Sequence, residues 1–406
     1  MIGARLFRGD RDAVDPEPLP LRVRAGRILA LGPAALAASA RPTDVIDLTG
    51  SFVIPGLIDA HVHLELDPTL TTPAAQLAVP EADRERAMRE RARAMLAQGI
   101  TTARDCGGGA FREHALRRAI DAGEWSGPRL LCCGQPLTTP DGHCAFWGGA
   151  ASSDREIEAV VERQVAAGSD WIKLMATGGV FTPGSRPGDT QFDDARLATA
   201  VAAATRAGRF VAAHCHGTAG IAAALRAGVR TIEHASFAGP GGFGTAWDDA
   251  LAGELAAREV WVSPTANAGW LRRIRDAAGA PTDFFERMSR CLGRQRERGV
   301  RFVASTDAGI PGVFHDALAG GLEALAAFAS MRPVEVLRAA TADAAEALGL
   351  ARETGRIAPG LSADLVVLPR DPTADLAALR APARVLLRGV WQPVAAASGS
   401  EPAGAA

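Results

Sequence analysis

Short apolar runs alternate with charged, amphipathic segments along most of this chain. The runs fall at residues 52–64, 100–104, 129–133, 171–175, 210–214, 231–234, 260–263 and 302–306. Each has the length and the apolar, often branched, content of a buried strand. The segments between them repeat at helical spacing. Residues 81–98 are charged on one side, carry Ala, Met and Leu on the other, and stop at Gly99 as at a C-cap. Ser153-Asp154-Arg155-Glu156 reads as a capping box that opens a helix running to Ala167. Eight strands mostly separated by helices predict parallel pairing, and hence an α/β fold with a (β/α)8 TIM barrel over residues 56–349. An open doubly wound sheet fits less well, because no Gly-rich phosphate loop follows the first strand.

The flanks follow a different pattern. Residues 1–55 hold short strand-like pieces at 21–24 and 27–30, broken by Gly and Pro, and residues 350–396 hold similar pieces at 355–368 and 383–389. Neither flank alone carries enough apolar surface for a domain. Together they predict one small β-sandwich built from both chain ends. Residues 397–406, rich in Ala and Gly, read as a disordered tail.

Composition narrows the function classes. Of 406 residues, 48% are apolar, enough for a sizeable core. Lys plus Arg number 44 against 46 acidic residues, a net charge of −2 with no basic stripe, so nucleic acid and anionic membrane are poor partners. No apolar run reaches the roughly 18 residues of a membrane span, and the N-terminus lacks the order of a signal peptide. Six scattered cysteines without a CxxC spacing suggest neither a disulfide framework nor a thiolate zinc site. These features predict a cytoplasmic protein acting on a small molecule, and a homo-oligomer is compatible with them. The chain contains no tyrosine.

Candidate chemistry gathers at the ends of the predicted strands. His61 and His63 lie two apart, so both project from one face of their strand. Lys173, His214, His234 and Asp307 end or lie within later strands, and chemistry in a barrel sits at the C-terminal strand ends. Lys173 stands in the apolar run Trp171-Ile172-Lys173-Leu174-Met175, where a charge is costly. It either pairs with an acid such as Asp105 or stays neutral near metal and adds carbon dioxide, giving a carbamate that can bridge two ions.

Taken together these segments resemble the amidohydrolase superfamily across nearly the whole chain. Residues 52–65 resemble its first-strand HxH segment, and 171–180 its carboxylated-lysine strand. Residues 213–217, 231–235 and 304–309 resemble its fifth, sixth and eighth strands, and 355–367 its closing sandwich segment. The resemblance is greatest to the branch holding Xaa-Pro dipeptidases and arginine carboxypeptidases. It implies a binuclear site for two divalent ions, zinc first among them. His61, His63 and Asp307 would hold one ion, His214 and His234 the other, with N-carboxylated Lys173 between them. The implied reaction is cleavage of an amide-type C–N bond by a metal-bridging hydroxide, with Asp307 as the proton carrier.

Substrate-side residues are inferred one by one. His143 follows the third strand where relatives place a substrate-contacting histidine, and is expected to be catalytic. His216 faces as His214 does, where many relatives carry tyrosine. Arg186 in a Gly/Pro-rich loop is a carboxylate-binding candidate, and His315 is expected at the mouth. Arg104 and Asp105 read as a buried ion pair, and His114 as a surface residue. Alternatives are opening of a cyclic imide, lactone or imidazolone, a biosynthetic reuse of the same site, and a non-catalytic scaffold. Deamination fits less well, since no acid follows His214 within a few residues.

Overall fold

A computed structural model describes residues 1–36 and 44–394. The expected tail over 397–406 lies outside the described residues. All eight expected strands form: β1 (Leu57–Val62), β2 (Ile100–Asp105), β3 (Arg129–Cys132), β4 (Trp171–Met175), β5 (Phe210–Gly217), β6 (Thr231–Ala238), β7 (Trp261–Ser263) and β8 (Arg301–Phe302). Neighbours within each sheet pair in parallel, and helices occupy most of the crossovers, as a TIM-barrel fold requires. The expected boundaries hold at particular helices. The first long one spans Glu81–Ala97, and that after β3 spans Asp154–Ala167 behind the Ser153/Glu156 capping box.

The pairing departs from one unbroken ring. Strands β1–β3 form one sheet and β4–β8 another. A few backbone hydrogen bonds span the seams, with Leu137 N–H donating to Lys173 O at 2.8 Å and Met175 N–H to Leu137 O at 2.9 Å on one side. On the other, Ala60 N–H donates to Ala304 O at 3.1 Å and Asp307 N–H to His61 O at 2.9 Å. The last strand is short because residues beyond Phe302 leave ladder geometry, ending with Asp307 in a left-handed conformation at φ 61°.

The apolar run over 52–64 is two strands, not one. It divides at Gly56, where a Cβ would lie 1.9 Å from Thr101 Oγ1. Phe52–Pro55 pairs antiparallel with Leu365–Leu368 and parallel with Arg5–Leu6. That sheet continues through Arg384–Leu387 and Val390–Gln392, so it draws strands from both chain ends. The hairpin Leu21–Arg24/Arg27–Leu31 stands apart as a two-stranded sheet, yet Leu21 and Ile28 share an apolar cluster with Leu6, Val53, Leu365 and Val367.

Inside the strands, Ile58, Ala60, Trp171, Ala212, Trp261 and Val303 form a separate apolar cluster capped by Ala344, Ala345, Ala347 and Leu348. Trp171 and Lys173 share a face of β4, as do Ala212 and His214 on β5. The apolar layer thus lies beneath the polar one. A shift of register between Asp59 and Val62 on β1 changes the parity, which brings His61 and His63 inward above Ile58 and Ala60.

Candidate metal centre

Six of the expected residues converge. His61 Nε2 lies 3.3 Å from His63 Nε2, and Asp307 Oδ1 is 3.4 Å from both. Lys173 Nζ is 3.4 Å from His61 Nε2, and His234 Nε2 is 2.9 Å from His214 Nδ1. His61, His234 and Asp307 place ligand atoms within 4.8 Å of one another. All six are buried or nearly so.

The opposite nitrogen of each ring is occupied. His61 Nδ1 meets Glu233 Oε2 at 2.8 Å, and His63 Nδ1 donates to Gly107 O at 2.8 Å. His214 Nε2 donates to Gly178 O at 3.0 Å, and His234 Nδ1 meets Thr265 Oγ1 at 2.9 Å. Each imidazole therefore has a fixed orientation and one nitrogen left for the common centre, the arrangement that metal-ligating histidines show. Charge favours the same reading at two of the rings. Burial, then the neighbouring histidines, push the pKa values of His214 and His234 well below the ordinary range, so both are neutral and able to ligate. Burial works against the Asp307 carboxylate, but His61 and His63 hold its pKa below the usual carboxylate range. The donor set fits divalent ions of the zinc type.

Lys173 does not pair with Asp105. The Asp105 oxygens accept from Leu64 N–H at 2.9 Å and Gly107 N–H at 2.8 Å, and burial followed by the nearby Glu113 raises its pKa. Among the described residues no carboxylate lies within ion-pair distance of Lys173, and His61 is its one hydrogen-bond partner. It is also the only lysine in the chain.

Nor do Arg104 and Asp105 pair with each other. Arg104 is fully buried, donates to Glu233 Oε1 at 2.7 Å and to Thr231 Oγ1 at 3.0 Å, and lies 4.7 Å over the Trp171 ring. Glu233 thus joins Arg104 to His61. The sequence reading passed over it, although it adjoins His234; with Thr231 it occupies alternate positions of β6. Asp59 was missed as well. It accepts from Thr306 Oγ1 at 2.6 Å, Thr306 N–H at 3.1 Å and His61 N–H at 3.2 Å, and burial raises its pKa to about 7. Around the centre His234, Thr265 and Asp307 adopt left-handed backbone, at φ 71°, 54° and 61°. Such strain concentrates at functional sites.

A cavity of about 490 Å³ opens above the centre. His143 and His216 line it; Arg186 and His315 do not. Arg186 is exposed on its loop. His315, expected at the mouth, is buried with Nε2 donating to His63 O at 3.0 Å, so it supports the backbone of His63. His114, expected at the surface, is buried against Ser169, with Nε2 to Oγ at 3.0 Å. His143 packs 4.7 Å from the His214 ring, beside Gly179, where a Cβ would lie 2.4 Å from its Nε2. Burial lowers its pKa to about 4. His216 stacks on His234 at 4.4 Å and on Phe243 at 4.9 Å, and its Nδ1 meets Ser236 Oγ at 2.9 Å.

Residues 52–391 match the Amidohydrolase family, so the chain belongs to that family. Among solved structures it is similar to a Xaa-Pro dipeptidase with bound methionine in the active site, at TM-score 0.85 and 25% identity over 96% of this chain and 98% of that one. It is likewise similar to a prolidase complexed with N-methylphosphonate-L-proline, at TM-score 0.82 and 26% identity over 96% and 98%. Ochratoxinase of Aspergillus niger is 26% identical over 84% of this chain and 74% of its own length. The family and these neighbours support a hydrolase acting on amide bonds.

Proposed function

We propose that the protein is a metal-dependent hydrolase of small-molecule amides, dipeptides or N-acyl amino acids among them, with residues 56–349 carrying the chemistry. Residues 1–55 with 350–396 act as the supporting β-domain. The observation that carries this reading is the set of four imidazoles, each tied at one nitrogen and free at the other, around Lys173 and Asp307. His61, His63 and Asp307 would hold one divalent ion and His214 and His234 the other, with N-carboxylated Lys173 as a further ligand. When bound, such ions would lower the pKa of a water ligand and polarise the scissile carbonyl.

The chain's own residues supply the remaining steps. Asp307, an anion with its Oδ1 at the centre, takes the proton of the attacking water and returns it to the leaving nitrogen. Thr182 Oγ1 accepts from Cys144 N–H at 3.0 Å, so its hydroxyl proton is free to donate to His143 Nδ1 at 2.9 Å. That leaves His143 protonated at Nε2, a neutral donor for the oxyanion formed as the carbonyl is attacked. The Arg104–Glu233–His61 chain keeps the His61 ring in place. No nucleophilic side chain is needed.

Elemental analysis of the purified protein, paired with turnover of a panel of dipeptides and N-acyl amino acids, tests the proposal. About two zinc-type ions per chain and amide cleavage are expected. Trace metal only, with no activation by added zinc, manganese or cobalt, overturns it.

A further inference from the structure

The walls of the cavity are apolar, with Trp147, Phe181, Phe243, Trp270, Phe284 and Met288 among them. Apart from the metal centre, its charged lining consists of Arg272 and Arg273, and Asp307 is the only acid among the described lining residues. The two arginines follow the short helix Ala268–Leu271, which leads out of β7.

This turn is held firmly. Trp270 packs edge-on against Phe284 at 5.2 Å and Phe328 at 4.9 Å. Glycines on the helix Leu318–Ala329 let the segment come close: a Cβ on Gly320 would lie 2.8 Å from Ala268 Cβ, and one on Gly321 2.7 Å from Ala266 O. Arg273 O accepts from Thr282 Oγ1, and the Arg273 guanidinium lies 3.4 Å over the Phe284 ring. Stacking fixes the Arg273 fork without using its donors.

Neither cation is neutralised. Among the described residues, Arg272 and Arg273 form no ion pair and donate no side-chain hydrogen bond. A third cation, Arg287, is near enough to Arg273 to oppose its charge, and donates to Gly241 O at 3.1 Å rather than to an acid. By contrast, Arg296, Arg298, Arg332, Arg338 and Arg380 each pair with a carboxylate. Both side chains are exposed where the cavity meets solvent, and adjacent unpaired guanidiniums on a packed turn beside an apolar chamber are suited to an anion delivered by the ligand.

We propose that Arg272 and Arg273 are the carboxylate-binding, specificity-determining residues of this cavity, selecting amides that join an apolar body to an anionic group. The proposal rests on the amide-hydrolase reading for its reaction, but not for its binding site. The substrate lies with its scissile carbonyl at the metal centre, its apolar groups against the aromatic walls and its carboxylate toward the arginine turn.

Two probes separate these elements: N-benzoyl-L-leucine, and N-(3-methylbutyl)benzamide, which keeps the same scissile amide but lacks the carboxylate. The metal-loaded wild-type enzyme should prefer the acid. In the R272Q/R273Q double variant, with metal content and thermal midpoint confirmed, the ratio of kcat/KM values should fall about tenfold or more, through KM rather than kcat. An unchanged ratio overturns the proposal. If the wild-type enzyme turns over neither probe, equilibrium dialysis of the same two compounds decides, and the amide-hydrolase reading fails only if the dipeptide and N-acyl amino acid panel is uncleaved as well. Carboxylate-dependent binding that is lost in R272Q/R273Q sustains the arginine site, and equal binding by both proteins overturns it.

Discussion

At the floor of the cavity, four histidine rings have one nitrogen each fixed by Glu233, Gly107, Gly178 or Thr265. At and beyond the rim, Arg272, Arg273 and Arg186 form no ion pair among the described residues. The floor is built at and just beyond strand ends, and it ties one nitrogen of each ring internally. The outer wall is built on turns and leaves donors for a ligand. The contrast separates two tasks. Holding ions requires rigid, neutralised geometry, whereas choosing a substrate requires unspent hydrogen-bonding capacity.

Breaking the floor should have the largest effect. Asp307→Ala removes the proposed metal ligand and proton carrier together, and turnover should fall by on the order of 10⁴ or more, beyond the range of general acid–base catalysis alone. Steady-state assays with added metal check this, and substantial recovery would contradict the role. His143→Ala acts where floor and wall meet. It should lower kcat about a hundredfold while metal content, read by elemental analysis, stays at the wild-type level. Metal loss in that variant would move His143 into the ligand set.

Glu233→Gln touches neither ion nor substrate. It removes the anion that holds His61, so metal affinity should weaken about 10- to 100-fold, as competition with a chelator would show. Excess metal should restore much of the activity. The smallest effect is predicted for Arg186→Ala, whose exposed side chain lies outside the cavity lining. Its kcat/KM should remain within about twofold of wild type, and a larger loss would bring that loop into the substrate site.

The same contrast explains what the sequence revealed. Eight strands were legible because each apolar run is bounded by helix signals such as Gly99 and the Ser153/Glu156 box. The six floor residues were legible because they stand within or just beyond apolar strand-like runs that together resemble the amidohydrolase segments, although only the fold shows the register shift on β1 and the left-handed turn that bring His61, His63 and Asp307 inward. Glu233 and Asp59 escaped notice because their function depends on Arg104 and Thr306, which lie far away in sequence. His315 and His114 were misplaced because their neighbourhoods read as loop and helix surface. Both are buried by tertiary contacts, with His63 O and Ser169, that no local pattern encodes. The arginine turn was illegible for a similar reason: only the fold brings residues after β7 to the wall of a cavity floored by β1.

The central claim is that Lys173 is a carbamate at a metal centre, and the chain's single lysine allows it to be tested with little background. Wild-type and Lys173→Ala proteins would be equilibrated with ¹³C-bicarbonate and divalent metal, then compared by ¹³C NMR. A carbamate resonance present in the wild type and missing from Lys173→Ala, with activity lost in parallel, is the predicted result. An active, metal-loaded wild-type enzyme whose spectrum matches that of Lys173→Ala would contradict the claim.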